Sequence, residues 1–187
     1  MVLNIVFLIF AFVILFWQIS LIVAIIGGAP TVYSKEKVII KAFESVDLKN
    51  GQLVADLGCG NAWSLIIASR KFGAKGIGIE ISPFYYFLAK INVLLHGETK
   101  NIKIKFGNFR KREADIKDAD VIYLYLFDKI VGKIEPWIFK SAKAHSKIIS
   151  LGFPFKNHQA TVIKTRPPIY IYCKRGYRFV KYPLPTF

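Results

Sequence analysis

The stretch Leu53-Val54-Ala55-Asp56-Leu57-Gly58-Cys59-Gly60-Asn61-Ala62-Trp63 decides the fold. It opens as a short apolar run of strand length, passes through an acid and two glycines, and gives way to helical periodicity from Trp63 to Lys71. Strand, glycine loop and helix in that order form the first unit of a sheet whose strands run parallel and are joined by helical crossovers. The glycines let the chain turn tightly and expose bare backbone to a ligand, while the helix that follows offers unpaired amides at its first turn.

The pattern extends in both directions. Upstream, Asn50-Gly51 makes a turn, and Val38, Ile39, Ala42, Phe43 and Val46 recur at helical spacing, which predicts an amphipathic helix over Lys35 to Val46 with Ser34 as its N-cap. Downstream the reading is a strand at Ala74 to Glu80, a helix from Pro83 to His96, and strands at Ile102 to Phe106 and Val121 to Leu126. A helix from Val131 to Ala144, a strand at Lys147 to Gly152, and two β-like stretches at Gln159 to Lys164 and Ile169 to Lys174 complete it. The alternation predicts an α/β fold, mostly parallel, with helices on both faces of the sheet.

Ahead of all this, Val2 to Gly28 holds no charge, and its only polar side chains are Asn4, Gln18 and Ser20. As a helix it crosses a hydrocarbon layer of ~30 Å. A cleaved signal would begin with a basic stretch and carry a shorter apolar run, and a buried core helix is seldom apolar on every face. The reading is therefore one transmembrane helix, residues 1–28, and one domain, residues 29–187. Lys35, Lys37 and Lys41 follow the span and nothing basic precedes it, so the domain is expected on the cytoplasmic side.

A net charge of +15 falls in the part after the span. Beside an anchor this points first to anionic lipid headgroups and makes nucleic acid the less expected partner. Tyr170, Tyr172, Tyr177, Phe179 and Tyr182 alternate like strand residues and form no RNA-binding motif. Cys59 and Cys173 set no disulfide framework and no metal-ligand spacing. His96, His145 and His158 are scattered and read as surface or helix-end residues, so no general base is evident and the catalytic residues stay unassigned.

In a sheet of this kind ligands bind beyond the carboxyl ends of the strands. Asp56 stands at the end of the first strand and Glu80 closes the second in Gly76-Ile77-Gly78-Ile79-Glu80, where a carboxylate can accept both hydroxyls of a ribose. A dinucleotide loop would carry a third glycine to admit a pyrophosphate; here Trp63 fills that position. The acid before the first glycine suits a ligand with a sulfonium and an amino group.

The loop resembles that of class I methyltransferases, with the pattern acid-x-Gly-x-Gly-x-Gly and Ala62 in place of the last glycine. That resemblance implies a Rossmann-like domain binding S-adenosylmethionine. Asp56, Leu57, Gly58, Cys59, Gly60 and Asn61 would then lie along the amino-acid part of the cofactor, Glu80 and Ile81 at its ribose, and Asn108 and Phe109 beside the adenine. Asn108 could equally cap a turn, since Gly-Asn pairs are frequent turn formers.

A narrower similarity lies in Pro30-Thr31-Val32-Tyr33-Ser34, Gly78-Ile79-Glu80-Ile81-Ser82-Pro83 and Phe153-Pro154-Phe155. These look like the single-span lysine methyltransferases that act on the ATP synthase c subunit and the adenine nucleotide translocase. The likeness implies that Thr31, Tyr33 and Ser34 lie over the cofactor and that a protein lysine near the bilayer is the acceptor. Pro30 to Ser34 could also be a plain linker with a helix cap. Tyr123 and Tyr125 could line an acceptor channel or simply pack the core. A lipid, quinone or RNA acceptor, or a scaffold without catalysis, are the competing readings; oligomeric state is not legible.

Overall fold

A computed structural model describes residues 2–26 and 34–174. The elements are α1 (Val2–Ile26), α2 (Glu36–Ser45), β1 (Leu53–Leu57), α3 (Trp63–Phe72), β2 (Lys75–Glu80), α4 (Pro83–Leu95) and β3 (Ile102–Phe106). There follow a 3₁₀ turn (Phe109–Lys111), α5 (Glu113–Ile116), β4 (Val121–Leu124), α6 (Asp128–Ser141), β5 (Lys147–Leu151), β6 (Thr161–Ile163) and β7 (Ile169–Cys173).

The seven strands form one sheet in the order β3-β2-β1-β4-β5-β7-β6. The first five are parallel, and β7 and β6 close one edge antiparallel. The order reverses between β1 and β4, which opens a crevice beyond their carboxyl ends. One face is covered by α2, α3 and α4, through Phe43, Leu65, Ile66 and Val93 among others. The other is covered by α5 and α6, through Ile116, Ile130, Val131, Ile134 and Ile138. Burying both faces is what makes Val54 to Leu57 and Val121 to Leu124 unbroken apolar runs apart from Asp56.

The structure departs from the sequence reading at several points: β4 ends at Leu124, not Leu126, and β6 is Thr161–Ile163, not Gln159 to Lys164. The sixth helix begins at Asp128 and ends at Ser141, not at Val131 and Ala144; an acid in the first turn favours the earlier start, which apolar periodicity alone does not register. Ser34 does not cap α2: Lys35 holds the cap position, with no side-chain hydrogen bond to the helix. The turn and short helix after β3 were not expected, because Arg110 to Asp115 is almost wholly polar and lacks a period.

In α1 the window Leu3–Ser20 has a mean hydropathy of 2.3, long and apolar enough to cross a membrane. Almost none of it is buried against the rest of the chain, as a core helix would be. It meets the domain at its far end. There the Ser20 hydroxyl lies 2.5 Å from that of Ser82 and accepts the amide of Phe84 at 2.9 Å.

Candidate active site

The glycine loop is held by β2. The amides of Gly58 and Cys59 both donate to the carbonyl of Ile79, at 2.8 and 3.2 Å. Gly58 turns at φ +80°, and a side chain there would meet Leu126 at 3.0 Å. Ala62, where the pattern has glycine, adopts the same left-handed region at φ 63° and leads directly into α3. The departure in sequence is therefore no departure in conformation, although alanine is strained there by about 1–2 kcal/mol. Asn61 Oδ1 accepts the amide of Trp63 at 3.2 Å, and the Asn61 carbonyl is braced by Asn92 of α4 at 3.0 Å.

Two carboxylates are buried at this point. Asp56 is 3% exposed and Glu80 6%. Asp56 accepts a hydrogen bond from the Ser64 hydroxyl in the first turn of α3. Burial pushes its carboxyl up to about 7, eased by Ser64 and reinforced by the nearby charge of Glu80. Burial also raises Glu80, although it accepts the amides of Ser82 at 2.8 Å and Gly60 at 2.9 Å. Among the described residues no lysine, arginine or histidine pairs with either acid. Buried acids without a counter-charge are costly unless a cationic ligand supplies it.

Other positions expected at the site fall as follows. Leu57 is fully buried, so only its backbone can face the crevice. Cys59 is also buried, its sulfur filling the space above Gly78, and burial raises its thiol well above the ordinary range. Ile81 is half-buried at the end of β2. Asn108 is exposed and its Oδ1 accepts the amide of Arg110 at 2.9 Å, so it caps the 3₁₀ turn; Phe109 beside it packs towards Trp137 at 6.0 Å. Ser34 is half-buried just ahead of α2, and Thr31 and Tyr33 lie outside the described residues. Tyr125 is half-buried against Gly152. Tyr123 is 3% exposed and packs on Phe43, so its ring belongs to the core. Ser64 has no motif to mark it and is found only through the acid that it touches; Ser82 stands in the quoted stretch Gly78 to Pro83, but its amide bond to Glu80 is seen only in the structure.

The residues fit a nucleoside carrying a sulfonium and an ammonium: a bare backbone loop, two buried acids with no cation of their own, and helix amides beside them. Fold and site thus define a class I methyltransferase that uses S-adenosylmethionine. Residues 56–162 match the family model described as ANTKMT methyltransferase domain. The chain belongs to that family. It is 30% identical over 128 residues to a protein-lysine N-methyltransferase of Saccharolobus islandicus, covering 68% of this chain and 78% of the relative. Among solved structures it is similar to an RNA methyltransferase from Salinibacter ruber in complex with S-adenosyl-L-homocysteine, at 26% identity and TM-score 0.72, covering 76% of this chain and 93% of that one. A precorrin-6y C5,15-methyltransferase from Geobacter metallireducens shares the fold at 15% identity and TM-score 0.63, over 76% and 89% of the two chains.

Proposed function

We propose that this methyltransferase is anchored in the membrane by α1 and methylates a protein lysine presented at the cytoplasmic surface of the bilayer. The observation that carries the acceptor is the kinship with the lysine methyltransferase of Saccharolobus islandicus, which extends over most of both chains. The anchor rests on the apolarity and exposure of α1 and on the lysines that follow it.

In this reading Asp56, Gly58, Cys59, Gly60 and Asn61 hold the amino-acid end of the cofactor, with Leu57 contributing backbone. Glu80, with Ile81, receives the ribose. A carboxylate has about four lone-pair sites, so Glu80 can keep the amides of Gly60 and Ser82 and still accept ribose hydroxyls. Asn108 and Phe109 border the adenine, and Thr31, Tyr33 and Ser34 close over it from the membrane side. Bound S-adenosylmethionine supplies a methyl group on a positively charged sulfur, ready for in-line displacement by an amine. The chain's task is to hold that geometry and keep water out, since orientation alone can lower such a barrier by several kcal/mol. Tyr125 borders the approach from the β4 and β5 side.

The test is to incubate the detergent-solubilised protein with methyl-tritiated S-adenosylmethionine and membranes from a strain lacking it, then separate protein, lipid and RNA. Tritium in acid-stable methyl-lysine supports the reading. Label confined to lipid, or to RNA as the similarity to the Salinibacter ruber enzyme and the charge of +15 would allow, overturns it.

A further inference from the structure

One face of α4 has no cover among the described residues. Phe87, Ile91, Leu94 and Leu95 are 54%, 51%, 65% and 75% exposed. Their spacing at i, i+4, i+7 and i+8 places them in a single stripe, opposite the buried Ala89 and Val93. An apolar stripe of this kind in water is a liability unless it meets a partner.

Two observations say what the partner is. The first is continuity with α1. Ser20 lies in the last third of α1 (Val2–Ile26), and it is the residue bonded to Ser82 and Phe84 at the start of α4. α4 therefore begins beside the last third of the apolar helix, the part nearest the domain. The second is charge. Lys90 flanks the stripe with its ammonium 5.6 Å from the centre of the Tyr86 ring, and together with Lys103 and with Lys105, whose ammonium also lies 3.7 Å from Asp115 of α5, it lines a cleft of about 380 Å³ between α4 and β3. An apolar stripe bordered by lysines and aromatic rings is the pattern of a helix lying in the headgroup layer of an anionic membrane.

We infer that α4 is a second membrane contact: its Phe87-Ile91-Leu94-Leu95 face lies in the bilayer interface, and the lysine cleft beside it takes anionic headgroups. This rests on α1 spanning the bilayer and goes beyond it, because it fixes how the domain sits. Ser82, at the start of α4, is hydrogen-bonded through its amide to Glu80 of the glycine-loop site. A seated α4 therefore holds the cofactor site at headgroup level, where a lysine near the membrane surface can reach it.

The experiment uses the full chain in phosphatidylcholine vesicles with and without phosphatidylglycerol. An environment-sensitive fluorophore is placed in turn at Ile91→Cys, Val13→Cys and Lys133→Cys, with the unsubstituted chain giving the background of Cys59 and Cys173. Position 133 lies on α6, across the sheet. Quenching is by lipids brominated at shallow or deep acyl positions. The label at 91 is expected to be quenched by shallow bromines, more strongly with phosphatidylglycerol; that at 13 by deep bromines; that at 133 by neither. A label at 91 that behaves as at 133 while 13 is quenched overturns the seat and leaves the anchor. Quenching at neither 13 nor 91 overturns both. Self-quenching at 91 between chains, without lipid quenching, gives the stripe to a second copy and overturns the inference. A label at 91 indifferent to phosphatidylglycerol overturns the headgroup role of the lysine cleft.

Discussion

The carboxylate of Glu80 accepts the amide of Gly60 at 2.9 Å, tying the end of β2 to the glycine loop that follows β1. The acid assigned to the ribose is thus also the clasp of the loop. Glu80→Ala removes both roles. A hydrogen bond to a charged group contributes about 1.5–3 kcal/mol, so affinity for S-adenosylmethionine is expected to fall about tenfold to hundredfold. Titration calorimetry of wild type and variant with S-adenosylmethionine, and separately with NAD, checks this; NAD is expected to bind neither.

Asp56 gives the site a pH dependence. Its carboxyl stands at about 7 in the folded chain, against an ordinary value of 3.8, because it is buried. The folded state therefore holds a proton that the unfolded state has lost in the interval between those values. Asp56 alone makes the ligand-free protein less stable as pH rises through that window. A cationic ligand prefers the ionised acid, so its affinity runs the other way: it rises with pH and falls about tenfold per unit below the midpoint. Dissociation constants measured from about pH 6 to about pH 8 should show this slope, and Asp56→Asn should flatten it.

How much of this was legible follows from the range of each contact. The loop, Asp56 and the carboxylate of Glu80 were readable because strand period, glycine and acid recur at fixed local spacing. The clasp from Glu80 to Gly60 was not, because it joins residues that only the parallel pairing of β1 with β2 brings together. The polar cap at Asn108 could be seen as one of two options, and the structure shows it capping a turn. Ser20 reads in the sequence only as a rare polar residue in an apolar run. Its bond to Ser82 joins residues 62 positions apart, one in α1 and one at the start of α4.

Gly78 leaves room for Cys59. A side chain at Gly78 would come within 2.7 Å of the Cys59 sulfur and 2.9 Å of Ile104 Cδ1. Gly78→Ala is expected to destabilise by about 1–3 kcal/mol through overpacking. Cys59→Ala in the same chain should restore part of that loss, a coupling that chemical denaturation of the two single variants and the double variant measures.

Glu135 anchors the loop that follows β5. It is 1% exposed and accepts the amides of Lys156 at 3.2 Å and Asn157 at 2.8 Å, with His158 Nδ1 at 2.7 Å. Burial acts to raise its carboxyl, but the hydrogen bonds from His158, Asn157 and Lys156 outweigh it and hold it below the ordinary value. The stability it contributes is present above the unfolded value of 4.5 and is lost as pH falls through the lower folded value. Glu135→Ala should cost about 2 kcal/mol. Hydrogen exchange at residues 156 and 157 is expected to quicken while the strands stay protected.

Tyr123 separates core packing from chemistry. Its hydroxyl is buried and, among the described residues, has no hydrogen bond of ordinary geometry; burial and the nearby Asp56 carboxylate raise the phenol, and Ser34 partly offsets them. An unsatisfied buried hydroxyl costs about 1–3 kcal/mol. Tyr123→Phe removes it while keeping the ring against Phe43. The variant is expected to be more stable by about 1 kcal/mol and to bind S-adenosylmethionine unchanged. Its methyl-transfer rate should match wild type if the ring serves the core alone. A rate that falls while binding and stability hold would instead place the hydroxyl against the acceptor amine, where a buried hydroxyl oxygen can accept a hydrogen bond from it and orient it.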